Sequence, residues 1–160
     1  MRIVLGAVGR LKDSAERVLF DRYWERLEAS GRAVGLTSFR HVEIQESRDG
    51  QAPSRQANEA QRLLSAAGDH ALIIALDERG KSLTSAAFAD LLKRHRDDGC
   101  RDMAFLIGGP DGHGSGVIEA ARIKISLSAM TLPHGLARVV LAEQLYRAAT
   151  ILAGHPYHRV

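Results

Sequence analysis

The chain has 160 residues, of which 45% are apolar and 26% charged, and its formal net charge is +3 at pH 7. This composition is that of a globular domain and excludes a disordered or collagen-like chain, while so small a charge permits an RNA partner without identifying one. Cys100 is the single cysteine, which excludes an internal disulfide and a multi-cysteine zinc site and favours a cytoplasmic protein. No run of about 18 apolar residues occurs, so a membrane span is excluded.

The first predicted element is a short strand, Ile3 to Val8, which ends at Gly9. The segment is too short for a secretory leader and no cleavage signal follows it, so we expect no leader. A helix comes next, because Asp13 and Glu16 have the spacing of a capping box and Gly31 is suited to end the helix. Its apolar face is formed by Leu19, Phe20, Tyr23, Trp24 and Leu27.

The middle of the chain continues with a strand, a loop and a second helix. Val34 to Ile44 predicts the strand, Glu46 to Ser54 an exposed loop, and Gln56 to Ala67 the helix. The continuous apolar run from Ala71 to Leu76 then predicts a central strand that is buried on both faces and ends at Asp77.

The same alternation continues in the second half. Thr84 to His95 predicts a helix, Met103 to Ile107 a strand, Val117 to Ala121 a short helical segment, and Ile123 to Leu127 a last strand. Strands that alternate with helices predict an α/β fold, here a single domain over residues 1–160 with a largely parallel sheet. Ligands of such sheets bind at the carboxyl ends of the strands.

Three loops follow strands and are the candidate ligand-binding segments: Asp77 to Lys81, Gly108 to Gly116, and Leu127 to His134. The glycines of the second loop allow close backbone approach to a ligand, although a tight structural turn explains them equally well. A dinucleotide-binding fingerprint fails because Val117 replaces its third glycine, and a triphosphate-binding loop fails because Ala75 replaces its first.

Other catalytic signatures are weak. None of the seven histidines forms the i, i+4 pair of a helical zinc site, so no metal is expected. Ser115 lies between two glycines but lacks the strained G-x-S-x-G elbow of a hydrolase. Cys100 follows the end of a helix, where the negative end of the dipole opposes a thiolate, so we interpret it as structural.

The final helix, from Pro133 to Gly154, is apolar on more than one face. Such a helix needs two buried sides, which favours a homodimer over a helix that is buried wholly within one chain. The apolar residues are Leu136, Val139, Val140, Leu141, Leu145, Ala148, Ala149, Ile151 and Leu152.

The C-terminal tail after Gly154 groups an unusual set of side chains: His155, Tyr157, His158 and Arg159. An RNA site uses a ring for stacking, a guanidinium for phosphate and a group that carries a proton. A terminus that simply frays is the competing interpretation.

Several segments match one known pattern when they are taken together. They are Leu72 to Asp77 with Arg79-Gly80-Lys81, Phe105 to Gly112, Ser126 to His134, and Tyr146-Arg147-Ala148 with His155 to Arg159. In this order and spacing they resemble the ribosomal RNA large subunit methyltransferase H family, which belongs to the SPOUT class. The likeness runs in register from Met1 to Arg159.

The resemblance implies a parallel-sheet SPOUT methyltransferase fold whose C-terminal part forms a trefoil knot, a rare exception among folds. It also implies a homodimer that uses S-adenosylmethionine, without a metal, to methylate N3 of a pseudouridine in 23S ribosomal RNA within the 70S ribosome. His113 stands where the family often has an apolar residue, and no role is assigned to it. The implied cofactor-binding residues are Leu76, Gly108, Gly109, Leu127, Ser128, Ala129, Met130, Thr131 and Leu132.

Methylation at N3 requires the N3 proton to leave, since a uracil-type imide is otherwise a poor nucleophile. We expect His134, Tyr157, His158 and Arg159 to act in catalysis, and the resemblance does not say which of them handles the proton. A helix-capping role explains His134 equally well. Two alternatives stay open: a SPOUT methyltransferase that acts on transfer RNA, and a non-catalytic ribosome-binding factor.

Overall fold

Strands and helices alternate along residues 1–157, which are the residues that the computed structural model describes. A short 3-10 turn, Arg32–Val34, follows the first helix. The elements are β1 (Arg2–Val8), α1 (Ala15–Gly31), β2 (Ser38–Ile44), α2 (Ala52–Ala67), β3 (Leu72–Ser82), α3 (Ser85–Asp97), β4 (Asp102–Ile107), α4 (Ser115–Ala120), β5 (Ile123–Ser126) and α5 (His134–Leu152).

The strands form one parallel sheet in the order β2-β1-β4-β3-β5. Helices α1, α3 and α5 cover one face around Phe20, Leu92 and Leu141, and α2 and α4 cover the other around Leu63 and Val117. The predicted α/β class and parallel sheet are therefore confirmed. The predicted trefoil knot stays a prediction. No helix within residues 1–157 combines the length and apolarity needed to cross a bilayer.

Two helices begin at other residues than predicted. The N-cap of α1 is Ser14, whose hydroxyl accepts a hydrogen bond from the Arg17 amide at 3.5 Å, so the predicted Asp13 capping box is wrong. Helix α2 begins at Ala52 because Pro53 lies in its first turn, where a missing N–H costs no helical hydrogen bond. Both differences shift the boundary of an element without changing its type.

Strand β2 also starts later than predicted. The 3-10 turn extends α1 beyond Gly31, and the chain reaches the sheet only at Thr37, whose amide donates to the Met1 carbonyl at 3.0 Å. Residues 34–37, of which Val34 and Leu36 are buried, therefore lie in the connection before the strand. The strand itself still ends at the predicted Ile44.

Strand β3 contains an irregularity that the sequence did not reveal. Leu76 and Lys81 both pair with Ile125 of β5, so residues 77–80 form a four-residue bulge. Gly80 packs directly on the β5 backbone: a Cβ at this position would lie 2.6 Å from the Ile125 amide nitrogen. The predicted loop Asp77 to Lys81 is thus an excursion within a strand, and the strand resumes beyond it to Ser82.

Helix α5 is buried between α1 and α3 within one chain. Leu141, Leu145, Ala148 and Ala149 are fully buried there. These neighbours account for the wide apolar surface, so the width of that surface no longer supports a homodimer, which stays a prediction.

Candidate active site

A cleft of about 530 Å³ opens at the carboxyl ends of β3, β4 and β5. This volume suits a small-molecule ligand. The β3 bulge and the loops after β4 and β5, which are the three segments predicted from the sequence, supply most of its wall. Every predicted cofactor residue except Ala129 lines the cleft, namely Leu76, Gly108, Gly109, Leu127, Ser128, Met130, Thr131 and Leu132.

The loop after β4 needs glycine for reasons internal to the protein. A Cβ on Gly108 would lie 2.8 Å from the Gly112 carbonyl carbon, and one on Gly109 would lie 2.6 Å from Oε2 of Glu59. The loop closes on itself through a 2.8 Å hydrogen bond from the Gly112 amide to the Gly109 carbonyl. A tight turn and a cleft-lining loop are therefore both correct descriptions of this segment.

The loop after β5 is held by its own serines. The Ser126 hydroxyl donates to the Ser128 carbonyl at 2.8 Å, and the Met130 amide donates to the Ser128 hydroxyl at 2.9 Å. Met130 remains 78% exposed at the rim of the cleft. The backbone of this loop is thus ordered while an apolar side chain stays exposed beside it.

His113, to which the sequence assigns no role, also lines the cleft. Its Nε2 lies 3.1 Å from the Leu76 carbonyl oxygen, which accepts only, so Nε2 carries a proton in this contact. Burial lowers the pKa of His113. The His113 ring therefore joins β3, immediately before its bulge, to the loop after β4, and its lowered pKa favours the neutral form.

His134 is the first residue of α5 and lines the cleft. Pro133 is the N-cap of this helix, and no side chain makes a capping hydrogen bond there. The capping role considered for His134 is therefore not seen, and its ring borders the space where a ligand would bind.

A buried ion pair that no sequence pattern indicates fixes the start of α5. Arg138 is 2% exposed and contacts Oε1 of Glu43 at 3.1 Å. It also donates to the Val8 and Gly9 carbonyls, and burial lowers its pKa. Because Arg138 lies one turn after His134, this pair ties the His134 wall of the cleft to β1 and β2.

Tyr157 lies against α5 and does not line the cleft of its own chain. Its hydroxyl donates to Oε1 of Glu143 at 3.1 Å. Burial, followed by the charge of Glu143, raises the pKa of Tyr157 to about 12. The other two predicted tail residues, His158 and Arg159, lie outside the described residues.

Comparison with known proteins decides the family. A family model described as predicted SPOUT methyltransferase matches residues 1–158. The chain belongs to the SPOUT methyltransferase family. Within that family it is similar along its whole length to proteins named ribosomal RNA large subunit methyltransferase H, so the resemblance seen in the sequence is confirmed.

The relatives of this SPOUT methyltransferase match it from end to end. The proteins named ribosomal RNA large subunit methyltransferase H from Brucella anthropi and Rhizobium leguminosarum bv. trifolii are both 51% identical, over 99% and 100% of each chain. The protein of that name from Nitrobacter hamburgensis is 48% identical over 99% of each chain.

A solved structure of another methyltransferase is less similar. The SpoU methyltransferase AviRb from Streptomyces viridochromogenes, in complex with AdoMet, is 15% identical and covers 92% of this chain and 59% of its own. The TM-score is 0.38, too low to compare the two sites.

In residues 1–157 of this SPOUT methyltransferase, no three His, Cys, Asp or Glu side chains are grouped to hold a metal ion.

Proposed function

We propose that this SPOUT methyltransferase transfers a methyl group from S-adenosylmethionine to N3 of a pseudouridine in 23S ribosomal RNA, acting on the assembled 70S ribosome in the cytoplasm. The observation that carries the proposal is the cleft: three of the four segments that match the family pattern contribute to its wall, in a chain whose relatives are named for large-subunit ribosomal RNA. Residues 1–160 would form a single SPOUT domain.

The residues of the cleft fit S-adenosylmethionine. Leu76, Leu127 and Leu132 would supply apolar surface for the adenine ring, and the loops around Gly108 and Ser128 would offer backbone groups to the rest of the cofactor. The cofactor supplies a methyl group that its sulfonium already activates. The task of the protein is to hold donor and acceptor in line, which can supply a large part of the acceleration.

The remaining task is the N3 proton of the pseudouridine. His134 is the one predicted catalytic residue that borders the cleft among the described residues. An imidazole there can take the proton directly or through water. Arg159 would stabilise the negative charge that develops on the base, and His158 is the second candidate to carry the proton.

A homodimer would bring the tail of one subunit to the cleft of the other. Within one chain, Tyr157 lies beside Glu143 on α5, and no described tail residue lines the cleft. Met130, which is 78% exposed at the rim of the cleft, and Leu136, which is 40% exposed in the first turn of α5, are apolar surface that a second subunit would cover.

The proposal is tested by tritium transfer from S-adenosylmethionine to 70S particles, followed by nucleoside analysis. Labelled N3-methylpseudouridine is the expected product. Label in transfer RNA in place of ribosomal RNA would support a SPOUT methyltransferase that acts on transfer RNA. Ribosome binding without any methyl transfer would support a non-catalytic ribosome-binding factor.

The roles in the site are separated by single-turnover rates at saturating cofactor. We expect His134→Ala and deletion of residues 157–160 each to slow methyl transfer while leaving the dissociation constant of S-adenosylmethionine unchanged. If the deletion leaves the rate intact, or acts only by weakening cofactor binding, the tail does not belong to the substrate site.

A further inference from the structure

All three tyrosines of the chain meet on one side of α5. The ring centroids of Tyr146 and Tyr157 are 4.7 Å apart, and those of Tyr23 and Tyr146 are 6.4 Å apart. The guanidinium of Arg147 lies 4.8 Å from the Tyr157 ring centroid. We call Tyr146, Tyr157, Glu143 and Arg147 the tyrosine clasp.

Glu143 connects the members of the clasp. Its Oε1 accepts hydrogen bonds from Nε of Arg147 at 2.9 Å and from the Tyr157 hydroxyl at 3.1 Å, and its side chain is 15% exposed. Its Oε2 accepts from Gln144 at 2.6 Å, and Gln144 in turn accepts from Ser85 of α3 at 2.8 Å. The carboxylate is thus fully engaged, and Tyr157 is one of its partners.

The ring of Tyr157 already has partners within its own chain. The Arg147 guanidinium lies over the ring, and the Tyr146 ring packs against it at an interplanar angle of 55°, so part of the surface that would stack on a base is in contact with α5. Its hydroxyl donates to a carboxylate, and because its pKa is about 12 it remains protonated at neutral pH. This environment suits an anchor better than a base.

We propose that Tyr157 is the anchor of the C-terminal tail, and that Glu143 and Arg147 are positioning residues that hold it. The inference rests on the proposed function, because the anchor would serve the catalytic candidates His158 and Arg159, which immediately follow Tyr157 in the sequence. A chain terminus without such an anchor is poorly ordered, and catalytic groups misplaced by about 1 Å can lose a factor of about 100 in rate.

The first test separates the ring of Tyr157 from its hydroxyl. Single-turnover methylation of 70S particles at saturating S-adenosylmethionine should slow by about 10-fold to 100-fold in Tyr157→Ala. Tyr157→Phe keeps the contacts with Tyr146 and Arg147 and should restore the rate to within about fivefold of the parent, since a single hydrogen bond contributes about 1 kcal/mol. The cofactor dissociation constant should not change, because Tyr157 does not line the cleft.

The second test removes the cation of the clasp. Arg147→Met should slow methyl transfer as Tyr157→Ala does. Arg94→Met is the matched control, because Arg94 and Asp90 form the same i, i+4 ion pair on α3, away from the clasp. We expect this control to keep the parental rate.

A structural measurement keeps the proposal separate from the proposed function. The Tyr157 amide donates to Nδ1 of His155 at 3.1 Å, so its hydrogen exchange reports on the anchor. Exchange should be faster in Arg147→Met than in Arg94→Met. If the parent has no methyltransferase activity, the proposed function fails while this measurement still decides whether the clasp exists.

Three results would overturn the anchor. They are a parental rate in Tyr157→Ala, a rate in Tyr157→Phe as low as in Tyr157→Ala, and unchanged Tyr157 exchange in Arg147→Met. A rate in Tyr157→Phe as low as in Tyr157→Ala would assign the Tyr157 hydroxyl a direct part in the reaction or in RNA binding.

Discussion

At Gly109 a side chain would enter space that the protein already fills. A Cβ would lie 2.6 Å from Oε2 of Glu59 and 3.1 Å from Cγ1 of Val8, and both of these residues are buried. Glu59 also accepts a hydrogen bond from the Ser47 amide at 2.8 Å, so it cannot move without disturbing the loop between β2 and α2. The geometry of the cofactor loop therefore depends on packing behind it.

Gly109→Val should abolish cofactor binding and lower the free energy of unfolding by about 1–3 kcal/mol, the usual cost of overpacking. Calorimetry with S-adenosylmethionine and denaturant unfolding measure the two effects. Gly50→Val is a suitable control, because a Cβ there would meet no heavy atom within 4 Å. A folded Gly109→Val protein that binds the cofactor like the parent would contradict the loop assignment.

His41 predicts how stability depends on pH. Its ring centroid lies 4.4 Å from that of Phe20, and its Nε2 is buried without a hydrogen-bond partner among the described residues. Burial lowers its pKa to about 4 from 6.5, against an opposing effect of Glu43 and together with the charges of Arg138 and Arg17.

The unfolded chain therefore takes up this proton at a higher pH than the folded protein does. The contribution of the neutral His41 ring to the free energy of unfolding should be complete above pH 6.5. It should be lost progressively as the pH falls toward 4. Denaturant unfolding across this window measures the slope, and His41→Phe, which keeps a ring beside Phe20, should flatten it. An equal slope in parent and variant would assign the pH dependence to other groups.

Among the elements, α5 shows where sequence patterns mislead. Leu145 is fully buried within one chain, so Leu145→Glu would unfold the protein and could not report on assembly. Leu136 is 40% exposed in the first turn of α5 and is the better probe of a homodimer.

We expect the parent to sediment as a dimer at micromolar concentration and Leu136→Glu to shift it toward the monomer. Val18→Glu is the matched control, since Val18 is 56% exposed on α1. A monomeric parent would exclude the homodimer, and with it a site completed by the tail of the other subunit.

Local sequence patterns predicted most of the helices and strands, because hydrophobic periodicity and turn residues depend on only a few neighbouring positions. The run Ala71 to Leu76 and the loops at Gly108 and Leu127 were found in this way, and with them the place of the cleft. The pairing of Leu76 and Lys81 with the same residue, Ile125, could not be found, because it is a property of two strands.

Contacts between distant residues were missed for the same reason. Glu43 and Arg138 are 95 positions apart, and nothing in either neighbourhood indicates a buried ion pair. The residue type of Tyr157 predicts a contact with RNA, which stays a prediction, and its contacts with Glu143 and Arg147 depend on how the tail returns to α5.

For the whole molecule, the net charge and the charges around the cleft determine how strongly the protein can bind free RNA. The net charge is +3, and on the rim of the cleft the exposed cations Arg79 and Lys124 are accompanied by Asp77 and Glu78. Such a surface offers few net phosphate contacts, which supply most of the affinity of free RNA binding.

We therefore expect efficient methylation of intact 70S particles and poor methylation of isolated 23S ribosomal RNA at physiological salt. Initial rates on the two substrates at equal concentration measure the difference. Equal rates would show that the protein recognises the RNA by itself, without the ribosome.

The bulge in β3 separates what must be kept from what can vary. Leu76 and Lys81 fix the pairing with β5, and Gly80 packs against the β5 backbone. Residues 77–79 line the cleft and take no part in the ladder. Substitutions among these three positions can therefore alter the surface presented to a substrate while the sheet keeps its register. In evolutionary terms, the entrance of the site can drift or adapt at little cost to folding.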